Sequence, residues 1–113
     1  MKALIIAAVA LTATTTVASA QSGVQHRIDR REAVQETRIQ QGLRTGDLTR
    51  HEARRLEAEQ ARIRDMEARA RRDGRIDRRE AHQIERAQDA ASRHIAEERT
   101  DSQRRGAWHK RWW

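Results

Sequence analysis

The sequence predicts an all-α protein, and three observations carry that prediction. Three segments open with the same order: an apolar residue, Asp or Thr, two further residues, Glu, Ala. No proline interrupts the chain. The few larger apolar side chains recur at helical spacing. The architecture expected is a helical hairpin with a shorter first helix, three helices in all, followed by a flexible, basic, Trp-rich C-terminal tail.

The first element is an address. Met1 and Lys2 supply a positive start, Ala3 to Leu11 is an uninterrupted apolar run, and Ala18-Ser19-Ala20 places small residues before Gln21. That is the layout of a secretory signal peptide over residues 1–20, cleaved after Ala20. The apolar run is less than half of the ~20 residues a membrane-spanning helix requires. The chain has no cysteine, so disulfides, thiol chemistry and a lipid anchor on cysteine are excluded. The expectation is a periplasmic or secreted protein.

Cleavage would leave 93 residues with 23 Lys and Arg, 17 Asp and Glu, and a net charge near +6. Only twelve larger aliphatic side chains serve the body: Val24, Ile28, Val34, Ile39, Leu43, Leu48, Leu56, Ile63, Met66, Ile76, Ile84 and Ile95. A large globular core is excluded, and dimerisation through the same stripes is a natural way to gain burial. Of the 23 cations 22 are Arg, and many stand beside acids, which describes a solvated, ion-paired helix surface and not a phosphate-binding patch. Nucleic acid is therefore not the expected partner; unfolded or acidic periplasmic proteins, or an anionic envelope surface, are.

The helical region, residues 21–103, is built on a repeat. Arg27-Ile28-Asp29-Arg30-Arg31-Glu32-Ala33 recurs letter for letter as Arg75-Ile76-Asp77-Arg78-Arg79-Glu80-Ala81, and Leu48-Thr49-Arg50-His51-Glu52-Ala53 is a weaker third copy. In each, Asp29, Thr49 or Asp77 can accept from the unpaired N–H groups of a first helical turn. Glu32, Glu52 or Glu80 can reach back to the cap. The predicted helices are about 29–41, 49–72 and 77–100, with glycines at the breaks. Leu56, Gln60, Ile63 and Ala70 form one stripe with Met66 beside it, and Ile84, Gln88, Ala91 and Ile95 form another. The short 72–77 connection folds these two helices into an antiparallel hairpin, which the first helix covers with Ile28, Ile39 and Leu43. The pairs Asp65–Arg69, Glu67–Arg71 and Asp89–Arg93 have the i, i+4 spacing of intrahelical ion pairs.

Three features bear on chemistry. Asp73-Gly74-Arg75-Ile76-Asp77 through Glu80 has the letters of the second half of an EF-hand loop. The earlier ligand positions are Arg69 and Arg71, which repel a cation. The glycine stop and capped restart explain the same letters, so no metal is expected. His26, His51, His82, His94 and His109 form no i, i+4 pair, and Ser22, Ser92 and Ser102 have no nucleophile context. No catalytic residue, metal ligand or cofactor is assigned, and the chain is read as a non-enzyme. The tail, residues 104–113, gathers Arg104, Arg105, Trp108, Lys110, Arg111, Trp112 and Trp113 without an acid. It suits either docking on an anionic membrane surface or folding back over a core that lacks aromatics.

Gly46-Asp47-Leu48-Thr49-x-x-Glu52-Ala53 with Asp73-Gly74 and Glu80 resembles a group of small uncharacterised secreted helical proteins of Gram-negative bacteria, which share a Gly-x-Leu-Thr-x-x-Glu-Ala and Asp-Gly-x-x-x-x-x-Glu pattern. The resemblance covers nearly all of the mature chain and implies no established activity. A weaker similarity is to Spy/CpxP-type periplasmic chaperones, basic helical proteins with repeated Leu-Thr-x-x-Gln, where this chain has Glu52. It implies an ATP-independent, positively charged surface that shields unfolded clients, as part of an envelope-stress response.

Overall fold

A computed structural model describes residues 15–110 of the 113. Three helices run through them: α1 over Thr15–Thr45, α2 over Arg50–Ala70 and α3 over Arg78–Lys110, with no strand among the described residues. Each helix packs on both others, in an up-down-up bundle. The apolar run Ala3–Leu11 lies outside the described residues. No helix among those described is long and apolar enough to cross a membrane.

Local sequence explains the breaks. α1 ends where Gly46 adopts φ +78 and Leu48 N–H reaches back to Gly42 O at 3.0 Å, a left-handed stop that favours glycine. α2 then starts from Thr49 with a complete capping box: Glu52 N–H donates to Thr49 Oγ1 at 3.2 Å, and Thr49 N–H donates to Glu52 Oε2 at 2.8 Å. The second break repeats the device. Gly74 has φ +88, Glu80 N–H donates to Asp77 Oδ1 at 2.8 Å, and Asp77 N–H donates to Glu80 Oε2 at 2.9 Å.

The first copy of the repeat departs from expectation. Asp29 and Glu32 were expected to cap a short first helix, but α1 passes through them without interruption and is not the shorter element. Asp29 Oδ1 instead accepts from Gln25 Nε2 at 2.8 Å and from Arg71 Nη2 at 3.0 Å, and Glu32 Oε1 accepts from Arg64 Nη1 at 3.0 Å. The physical reason lies upstream. The second copy follows Asp73-Gly74, which stops α2, whereas the first follows a segment with no positive-φ residue. A capping motif satisfies an end that something else has created; it does not create one. Gly42, expected as punctuation, likewise lies inside α1. A Cβ there would meet the Leu48 side chain at 2.8 Å, so its role is close packing of the turn.

The core is thin and divided in two. Ile28, Ile63, Ala70, Ile76, Ala81, Ile84 and Ala91 form one cluster toward the α2–α3 turn. Ile39, Leu48, Ala53, Leu56 and Ile95 form the other, toward the α1–α2 turn. Near their boundary each helix buries one glutamine: Gln35, Gln60 and Gln88. Gln35 Nε2 donates to Gln88 O and Ser92 Oγ, both at 2.7 Å, and Gln88 Nε2 donates to Ile28 O at 3.1 Å, which ties α1 to α3. Neither amide atom of Gln60 has a partner among the described residues.

Candidate interaction surface

The connection between α2 and α3 concentrates cations because a helix end and a helix start meet there. α2 closes at Arg71, Gly74 turns the chain, and α3 begins at Arg78. Arg69 is engaged by Asp65, and Arg71 by Asp29 and Glu67. Arg72, Arg75, Arg78 and Arg79 are exposed, and none forms an ion pair with an acid among the described residues. The nearby acids are occupied by the backbone: Asp73 Oδ1 accepts from Arg75 N–H at 3.3 Å, while Asp77 and Glu80 serve the α3 cap. The half EF-hand letters thus hold up a helix start. No group of three or more metal-ligating side chains occurs among the described residues.

Elsewhere arginines tie helix to helix. Arg55 Nη2 meets Glu98 Oε1 at 2.9 Å, Arg99 Nη2 meets Asp47 Oδ2 at 3.0 Å, and Arg31 pairs with Asp89. Asp89 was expected to pair with Arg93 within α3. The hydrogen bond from Arg31 of α1 is instead the main reason its carboxyl is held below the usual Asp range. His94 Nδ1 lies 3.0 Å from Glu59 Oε1, and His82 Nδ1 lies 3.6 Å from Glu85 Oε2. Beside these ties, Arg27, Arg30, Arg31 and Val34 line a shallow cleft of about 290 Å³ above Gln35 and Ser92. Val34 is 52% exposed.

The tail begins differently from its prediction. α3 was expected to end near Thr100, yet it continues through Arg104 and Gly106 to Lys110. Arg104 is exposed, and Arg105 Nη2 donates to Glu52 Oε1 at 2.5 Å, fastening this part of α3 to the α2 start. Trp108 and Lys110 are positions on the α3 backbone; Arg111, Trp112 and Trp113 lie outside the described residues.

Glu52 and Glu67 are legible in the sequence, one as a cap and the other as the i, i+4 partner of Arg71, but neither is legible as a buried acid. Glu52 is 7% exposed, and its carboxyl is lowered to about 2, first by the Thr49 backbone N–H and further by Arg105. Glu67 is 3% exposed and its carboxyl is raised to about 7, first by burial and then by Glu32. A signal for Glu67 existed: it falls between Ile63 and Ala70 at the i+4 and i−3 positions of the buried stripe. No family model, no curated protein and no solved structure matches this chain.

Proposed function

We propose that this chain is a non-enzymatic helical interaction protein, exported to the periplasm, that holds acidic, incompletely folded proteins against its arginine surface in a chaperone-like way. The supporting observation is the set Arg72, Arg75, Arg78 and Arg79, four exposed guanidinium groups at one end of the bundle without an acidic partner among the described residues. Arginine's planar fork pairs with carboxylates through two parallel hydrogen bonds, so such a cluster favours partners dense in Asp and Glu. The arginine-lined cleft at Val34 adds a small apolar foothold on the same molecule.

The test is suppression of aggregation of an acidic, chemically unfolded client. Replacing all four arginines by Gln should abolish protection while helix content stays unchanged, and protection should fade as salt shortens the ~8 Å screening length of 0.15 M solution. Full protection by the quadruple variant sinks the reading. Export has its own test: N-terminal sequencing of the native protein should begin at Gln21, and a product found in the cytoplasm beginning at Met1 would overturn it.

A second reading is a peripheral binder of anionic envelope surfaces through the C-terminal tail. It is favoured by the continuation of α3 past Arg105, where the bundle is fastened, to Lys110. Truncation after Arg105 should then remove sedimentation with anionic vesicles and leave the helices intact; unchanged sedimentation removes the reading.

A further inference from the structure

The end of α2 that carries the arginine cluster also holds three carboxylates around two arginines, one of them shared. Glu67 Oε2 accepts from Arg71 Nη2 at 3.2 Å, and Glu67 Oε1 has no partner among the described residues. The same Arg71 nitrogen reaches Asp29 Oδ1 of α1 at 3.0 Å. One turn along α1, Glu32 is held by Arg64 at 3.0 Å. Glu67 therefore faces Asp29 and Glu32 from α1, and Arg64 and Arg71 from its own helix. The buried face of α3 at this end, Ala81, Ile84 and Gln88, carries no charge.

We propose that Glu67 is a proton-operated latch for the first half of α1. Protonated, it lets α1 lie against the hairpin; ionised, it is a charge buried away from water beside Glu32 and Asp29, and its solvation releases that half of α1 and uncovers Ile28, Ile63, Ile76 and Ile84.

The direction follows from where the proton is held more tightly. In the closed bundle the carboxyl loses its proton only at about 7, against 4.5 for a solvated Glu. An opened α1 restores the lower value, so raising the pH from about 4.5 to about 7 favours opening, and the gain levels off above that. The other half of α1 has no such cluster: Ile39 is fully buried with Leu48, Leu56 and Ile95. Opening is therefore confined to the end that Glu67 governs. The uncovered apolar patch would lie beside Arg72, Arg75, Arg78 and Arg79. Its use by clients rests on the proposed function, whereas the latch itself does not.

Hydrogen exchange of the full chain, read by mass spectrometry and corrected for intrinsic exchange rates, tests the latch at pH 5 and pH 8. Protection of residues 24–34 should fall by roughly 50- to 100-fold between these values, the gain expected from linkage. The segments around Ile39 and Ile95 should keep theirs. Glu67→Gln should make the α1 protection independent of pH, and Glu32→Gln, with Glu67 intact, should shrink the fall. Constant protection in the wild type overturns the proposal. So does a loss spread evenly over the chain. An equal loss in Glu67→Gln also overturns it, since the cause would then lie in a group other than Glu67.

Discussion

Helix α2 buries a glutamate near each end, and the two sit at opposite extremes of acidity. Glu52, at the α1–α2 turn, is lowered to about 2; Glu67, near the α2–α3 turn, is raised to about 7. Exposure does not separate them, at 7% and 3%. Partners do. Glu52 receives a backbone N–H from its own capping box and a guanidinium from α3. Glu67 lies too far into the helix to meet an unpaired backbone donor, and shares Arg71 with Asp29. Burial sets how costly a charge can be, and the donors present decide whether that cost is met. The two ends of this bundle are thus built on opposite electrostatics, one fastened by a carboxylate and the other strained by one.

The largest expected effect breaks the end that holds Glu67. Ile63 and Ile84 are 2% and 1% exposed in that cluster. Replacing both by Asp should cost more than about 4 kcal/mol, because each buries an unpaired charge. Circular dichroism should show helix lost. Retention of the wild-type melt in the double variant would refute the packing of α2 on α3.

The next effect sharpens the comparison directly. Glu67→Gln removes a carboxyl whose folded value exceeds its unfolded one, so the wild type loses stability as pH rises from about 4.5 to about 7 and the variant does not. At pH 8 the variant should be more stable by about 3 kcal/mol, from about 1.4 kcal/mol per pH unit over the interval from 4.5 to about 7, and near pH 4 the two should converge. Urea denaturation at both pH values reads this, and a variant less stable than wild type at pH 8 contradicts the reading.

A smaller gain should come from the glutamine boundary between the two ends. Gln60 is 1% exposed with both amide atoms unpartnered among the described residues, so Gln60→Leu should stabilise by about 1–2 kcal/mol. Destabilisation instead would show that the amide is held by a contact the packing does not reveal.

The smallest effect tests the fastened end. Glu52→Gln should cost about 1 kcal/mol at pH 7, the usual worth of a cap. A lowered folded value contributes stability above about 4.5 that is lost as pH falls toward 2, so the gap between variant and wild type should close over that interval. A gap that widens on acidification would reverse the assignment.

Much of the fold was legible in the sequence, because its signals are local. Thr49 with Glu52 and Asp77 with Glu80 mark the two helix starts, and the spacing of Leu56, Gln60, Ile63, Ala70, Ile84, Gln88, Ala91 and Ile95 marks the buried faces. Asp29 and Glu32 show the limit of such signals, since an identical heptapeptide lies inside one helix and opens another according to whether a glycine stop precedes it. Of the candidate site, the arginine run from Arg72 to Arg79 could be seen as letters, but not which of its members lack an acidic partner. Arg31 illustrates why: its partner Asp89 lies on another helix, 58 residues away.

The sequence by itself determined that this chain is helical, where α2 and α3 begin and which side chains are available for a thin core. These follow from capping, glycine and periodicity, which act within a few residues of one another. Only the tertiary structure decided that α1 runs unbroken through Asp29 and Glu32, that Arg105 reaches Glu52, and that Glu67 faces Asp29 and Glu32. Those outcomes depend on how helices from distant parts of the chain align, and the acidity of a buried group follows from the charges that this alignment brings to it.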